Sequence, residues 1–378
     1  MSSIAEILAH AVADGAAPGL SAAWTLPGGA PAHAAAGSLG RADVRQVQAD
    51  SLFWVASFTK AITSTAALQL VERGVLGLDE PVGARLPGLA EPMVLTGFDD
   101  AGHPLTRPAR TPITLRHLLT HTSGLGYDFC HADLARNQVS PSPATGALLV
   151  FDPGAGWQYG VSLDWAGQLV EQASGRPFHS YLDEEILAPL GMRDTTFFPS
   201  AEQAARQAGM HLRQPDGGLV PIPFLLPHEP SPMMGGGGLY STAGDYLRFL
   251  GMVLGGGAAG SARILSAEST AALGAPQVSG PHVGILQSTN AMMTSDFDPF
   301  PGMSKSWGLG FMHNDEPGPA GRSAGSHAWA GLSNCYYWAD PARGVAGVLL
   351  AQLLPFGDSR VLDVFARFER AVYDGADD

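Results

Sequence analysis

Strand-like segments sit at the two ends of this chain and helix-like segments fill its middle, which limits the folds open to it. Residues 20–26 and 32–36 read as a pair of strands around the Pro27-Gly28-Gly29-Ala30 turn. Residues 334–338 and 345–353 read as a second pair around Asp340-Pro341. Between them lie helical patterns at 57–73, closed by Gly74, and at 115–120, 163–173, 178–187 and 243–254. Ser162 is the expected cap and Gly175 the expected stop of the third. Ile4, Leu8 and Val12 mark an amphipathic first helix, while Val361, Phe365, Phe368 and Val372 share one face of a last helix at 360–373. The expectation is an α+β fold: a largely antiparallel sheet drawn from both termini and flanked by helices, with a mostly helical domain inserted. The sheet domain is read as 1–75 with 235–378, and the helical domain as 76–234.

Composition narrows the function classes. With 21 Lys and Arg against 35 Asp and Glu the net charge is −14, and no basic run offers a surface for nucleic acid or an anionic membrane. Hydrophobic residues at 45% against 15% charged exclude a disordered chain, and 48 Gly with 29 Pro imply long loops. The first residues lack a basic segment, and Glu6 and Asp14 interrupt any apolar run, so no secretory signal is read. The most apolar stretch, 344–354, is too short to span a bilayer. Cys130 and Cys335 are the sole cysteines, which supplies neither a disulfide framework nor a cysteine zinc site. A cytoplasmic location is the default expectation, and no metal or organic cofactor is called for; the oligomeric state is not legible.

The chemistry is carried by Ser57-Phe58-Thr59-Lys60, an S-x-x-K tetrad at the start of a predicted helix. Positions i and i+3 share a helix face, so the amine reaches the hydroxyl. Serine needs an adjacent base, and a buried lysine can become one, whereas arginine does not deprotonate in proteins. The chain contains only two lysines, Lys60 and Lys305, among 21 basic residues. Placing one of them in a first helical turn, where the dipole disfavours a cation, calls for a reason other than surface charge. Backbone N–H groups at the same helix start can help hold an oxyanion.

Other constellations fail their context. Gly321-Arg322-Ser323-Ala324-Gly325 fits the G-x-S-x-G elbow, yet His327 follows with no acid between and no apolar strand precedes. His117 and His121 have Leu118 where a zinc site needs glutamate; His121 is expected to fix the following Thr122-Ser123-Gly124 turn by hydrogen bonding. The glycine run 235–238 lacks the context of a phosphate cradle. The apolar, proline-rich loop 221–234, with Phe224 and Met233, is expected either to line a substrate pocket or to cover the core.

Ser57-x-x-Lys60, Leu118 to Leu125, Trp157-Gln158-Tyr159-Gly160, Pro189 to Met192, Gly237 to Tyr246 and Trp329-Ala330-Gly331 together resemble the class C β-lactamase-like serine hydrolases. The likeness is closest to the family VIII carboxylesterases, with the statin-pathway acyltransferases near by. It implies a β-lactamase/penicillin-binding-protein-like fold with the active site in a cleft between the sheet and helical domains. It implies that Ser57 is acylated, that Lys60 is its base and that Tyr159 shares the proton, its phenol assisted by the charge of Lys60. It further implies an oxyanion hole from the backbone N–H groups of Ser57 and Leu332. Val161 stands where β-lactamases carry the Asn of Tyr-x-Asn, and Trp329-Ala330-Gly331 replaces their Lys-Thr-Gly. Those departures remove the groups that would bind a lactam and favour a small neutral carboxylic ester as partner.

Overall fold

The chain was analysed as a computed structural model that describes residues 3–137, 146–224, 226, 233–277 and 283–377. Eight strands build the main sheet: β1 (Gly19–Thr25), β2 (Ala32–Gly40), β3 (Asp43–Gln46), β4 (Lys305–Trp307), β5 (Met312–Asn314), β6 (His327–Gly331), β7 (Cys335–Asp340) and β8 (Val345–Leu350). Their spatial order is β4-β5-β6-β7-β8-β1-β2-β3, and every neighbouring pair is antiparallel. The two termini meet where β1 pairs β8, with Ala22 opposite Leu349 and Trp24 opposite Gly347. This is the expected antiparallel sheet drawn from both ends.

Helices cover both faces. Helix α1 (Ile4–Ala13) starts on a capping box in which the Ser3 hydroxyl accepts the Glu6 N–H and the Glu6 carboxylate accepts the Ser3 N–H. It packs with the C-terminal helix α7 (Ser359–Asp377), and Tyr336 and Trp338 of β7 meet Phe365 of that helix. On the opposite face α2 (Thr59–Glu72) and α6 (Ala243–Leu254) close the core, where Phe58 and Tyr246 pack on Tyr337. The alternation of β7 therefore sends its rings to two helical layers.

Residues 76–234 carry α3 (Leu115–Leu119), α4 (Ser162–Ser174) and α5 (Phe178–Leu182). They also carry strands the sequence reading did not place: Met93–Phe98 pairs with Pro104–Pro108, and His211–Arg213 pairs with Leu219–Pro221 and with Leu353–Leu354. Helix α4 ends on Gly175 in the left-handed region as expected, but Ser162 is not its cap. Val161 occupies that place, and the Ser162 hydroxyl is 2.8 Å from that of Ser123.

Trp338 is fully buried, its indole N–H donates to Tyr373 Oη at 3.1 Å, and its six-membered ring lies over Gly347. A Cβ at 347 would stand 2.2 Å from that ring. Gly347→Ala is therefore expected to destabilise by ~1–3 kcal/mol through overpacking. In urea unfolding its midpoint should fall at unchanged slope; an unaltered midpoint would show that the indole swings aside freely.

Candidate active site

Ser57 is placed by a turn, not by the helix itself. Phe53–Trp54 pairs antiparallel with Tyr240–Ser241, and the chain then bends at Ala56, whose φ is +46°. Ala56–Phe58 forms a 3₁₀ turn and α2 begins only at Thr59, so Ser57 lies just ahead of the expected helix. Thr59 holds this bend: its hydroxyl donates to the Ala56 carbonyl at 2.6 Å and accepts the Leu239 N–H at 3.1 Å. A non-glycine residue at positive φ is costly and is kept by such surroundings.

Lys60 stands behind Ser57 with 2% of its surface exposed. Its Nζ lies 3.1 Å from Ser57 Oγ, 3.0 Å from Tyr127 Oη and 2.7 Å from the Gly236 carbonyl oxygen. A neutral amine has two N–H donors and one lone pair, so three oxygens, one of them a hydroxyl able to donate, match it fully. Burial pulls the amine down to about 7, against the opposing pull of Asp164 and, more weakly, Cys130. Near neutrality it can take a proton from Ser57.

Tyr159 is buried beside them, with the Lys60 Nζ 4.7 Å from its ring centre. Its phenol oxygen accepts the Trp329 indole N–H at 2.9 Å and is hydrogen-bonded to Ser57. Burial pushes the phenol upward, and those two hydrogen bonds only partly offset it. No pull from Lys60 offsets that burial, so the phenol is shifted upward while the neighbouring amine is shifted downward.

Ser57, Tyr127, Tyr159, Trp329 and Leu332 open onto a cavity of about 260 Å³, with Phe224, Leu226, Met234, Met293 and Phe356 among its apolar walls. Phe224 packs on Trp54 with ring centres 4.6 Å apart. Three predicted contacts fall outside the wall. Met233 packs on the core, and Met234, one residue on, faces the cavity. Val161 is buried at the start of α4. Gly331 is consumed by backbone approach, since a Cβ there would lie 2.4 Å from the Val55 carbonyl oxygen. Its packing seats the end of β6, and hence Leu332, against the turn that bears Ser57. Residues 225 and 227–232 of the expected pocket loop lie outside the described residues.

His121 does not act as expected. Neither ring nitrogen has a hydrogen-bond partner among the described residues; the ring packs on Tyr159 and Trp307, with centres 4.8 and 4.9 Å away. Backbone groups hold its turn: the Thr122 N–H donates to the His117 carbonyl and the Gln158 N–H to that of His121. Burial and the neighbouring Lys60 hold its imidazole well below the usual range, in the neutral form. Ser323 sits in the loop before β6 with its N–H donating to Asp340, away from the cavity wall. Lys305 is spent on structure, its ammonium donating to Asp298 and to the carbonyls of Phe300 and Met303.

Tyr127, Asp164 and Gly236 were missed. Tyr127 follows the Leu118–Leu125 segment by two residues, and Gly236 belongs to the glycine run set aside as a failed phosphate cradle; their signal was adjacency to motifs already singled out. Asp164, in the first turn of α4, carried none. No group of His, Cys, Asp and Glu among the described residues is arranged to hold a metal. No helix of the described residues is long and apolar enough to cross a membrane.

The chain is similar to known enzymes over much of its length. The chain is 35% identical over 353 residues to the monacolin J acid methylbutanoyltransferase of Aspergillus terreus, covering 86% of this chain and 83% of that one. It is 36% identical over 223 residues to the lovastatin esterase of Penicillium rubens, covering 55% and 56%. A mutant simvastatin synthase from Aspergillus terreus superposes with a TM-score of 0.86 at 32% identity, across 99% of this chain and 94% of that one. The Beta-lactamase family profile matches residues 4–371, and the chain, with its serine, buried amine and phenol gathered at one cavity, belongs to that family of acyl-enzyme-forming enzymes.

Proposed function

We propose that this protein is a serine carboxylesterase of the family VIII kind, acting on small neutral esters through an acyl-enzyme. The observation that carries the reading is the buried Lys60 amine, held near neutrality 3.1 Å from Ser57 Oγ. Ser57 Oγ attacks the ester carbonyl and its proton passes to Lys60 Nζ. The backbone N–H groups of Ser57 and Leu332 hold the tetrahedral oxyanion. The carbon–alkoxide bond then breaks, and the alkoxide takes a proton through Tyr159, which Lys60 replenishes. Water then attacks the acyl carbon as it gives a proton to the same pair, the bond from that carbon to Ser57 Oγ breaks, the proton returns to Oγ, and the acid leaves. The sheet residues 1–75 and 235–378 supply the nucleophile and oxyanion donors in this reading, and 76–234 supplies the two tyrosines from across the cleft.

A second reading is favoured by the acyltransferase among the relatives. An alcohol in place of water at the last step turns the same acyl-enzyme into an acyl donor, and apolar walls suit an organic acceptor. With a p-nitrophenyl ester and mixed water and alcohol, the ratio of acid to new ester reads the partition directly. A β-lactam carboxylate meets no cation, because none of the described wall residues is charged. A chromogenic cephalosporin should therefore turn over far more slowly than the esters.

Ser57→Ala should abolish fluorophosphonate labelling and lower kcat/KM by about 10³–10⁶-fold, while Ser323→Ala labels normally; the reverse pattern would refute the assignment. Lys60→Arg should be nearly as damaging as Lys60→Ala, since a guanidinium sheds no proton. The amine is charged below its pKa, so in the native enzyme the labelling rate should rise with pH through about 7. A rate flat between pH 5 and 9 would exclude Lys60 as the base.

A further inference from the structure

The Lys60 amine is held at the end of a peptide, and that peptide is itself held. The Gly236 carbonyl accepts Lys60 Nζ at 2.7 Å, while the N–H of the same residue donates to Asp164 Oδ1 at 2.7 Å. One glycine thus links the carboxylate on α4 to the amine on α2. The fit around it is close: a Cβ at 236 would stand 3.1 Å from Asp164 Oδ1 and 3.3 Å from Tyr127 Oη. The neighbouring Gly235 carbonyl is fixed in turn by the Thr63 hydroxyl at 2.6 Å. Asp164 has no arginine or lysine partner among the described ion pairs, and Lys60 is the cation that faces its charge.

We propose that Asp164 is a positioning residue for the Lys60 amine, acting through the Gly236 peptide. Its hydrogen bond fixes where the Gly236 carbonyl points and so where the amine sits. Its charge stabilises the ammonium once Ser57 has given up its proton. The other groups facing the amine are Tyr127, Tyr159, His121 and Cys130, and none of them carries a charge near neutrality: burial raises both phenols and the thiol and keeps the imidazole neutral. The anion therefore opposes the effect of burial on Lys60, and burial pushes the carboxyl itself up against the pull of Lys60 and the Gly236 N–H.

This inference rests on Lys60 being the base for Ser57, and two variants separate its two parts. Asp164→Asn keeps an oxygen for the Gly236 N–H and removes the charge. The ammonium then loses its support, so the acid limb of kcat against pH should move down by about 1 unit, with KM nearly unchanged. Asp164→Leu removes the bond as well, and kcat at its optimum should fall by about 10–100-fold, the size of other supporting-residue losses. Asparagine at the position should restore most of that kcat. An acid limb in Asp164→Asn identical to the native one, or equal loss of kcat in both variants, would overturn the proposal. So would failure of the isosteric Asp164→Asn to fold, seen as a lost thermal transition, because the residue would then be structural. If Ser57→Ala retains turnover, it is the esterase reading that fails, and the two failures are told apart.

Discussion

A single buried amine sets the terms for everything around it. An ammonium removed from water is held only where oxygens replace its hydration, and Lys60 finds three: a side-chain hydroxyl, a phenol and a backbone carbonyl. Each comes from a different part of the chain, so the turn at Ala56, the Tyr127 loop and the Gly235–238 run must all be in place together. The arrangement costs stability. A lysine free in the unfolded chain keeps its proton up to about 10.5, while this one releases it near 7. Between those values the unfolded state binds the extra proton, so stability rises with pH across the window, and below 7 the full cost of the buried charge is present. The site is thus a place where proton affinity has been set at the expense of folding energy.

The fold meets that cost with the seam between β1 and β8. Joining the first and last strands of the sheet puts α1 and α7 on one face and leaves α2 and α6 on the other, so Lys60 is carried by a buried helix and Ser57 by the turn that leads into it. Every residue of α2 from Thr59 to Leu70 is buried, so the helix is packed on all sides over that length. The 3₁₀ turn before it is fixed at one side by Leu239 and at the other by Thr59. Ser57 therefore sits on a turn anchored from both sides.

What could be read from the sequence divides along physical lines. The sheet drawn from both termini was legible because period-2 strands with Gly and Pro turns announce themselves locally, and the reading of helix 243–254 matches the structure to the residue, where Thr242 caps it. Ser57 and Lys60 were legible because lysine is otherwise almost absent. Tyr159, Trp329 and Leu332 came only through resemblance, and Trp329 then proved to hold the Tyr159 phenol by its indole N–H. Met233 was one residue from the wall residue Met234, an error intrinsic to irregular chain, where no period says which side chain faces inward. Asp164 and the Gly236 peptide were invisible because their link joins residues 72 apart through a backbone group that has no sequence identity. His121 was misread for the opposite reason: its type suggested hydrogen bonding, but its surroundings are aromatic rings.

The same physics governs what the cavity admits. In β-lactamases a cation and an amide meet the substrate's carboxylate and side chain; here Trp329 points at Tyr159, and Val161 is turned into the core. An anionic substrate entering these walls would give up its hydration with no charge to replace it, a penalty of several kcal/mol before any chemistry. A neutral ester loses little and gains apolar contact with Phe224, Met234 and Phe356. The tryptophan that replaces the lactam-binding lysine therefore does two things at once. It offers no charge to a carboxylate, and it donates the hydrogen bond that holds the phenol beside Ser57, so in the proposed esterase reading the substrate class and the alignment of the proton carrier share one side chain.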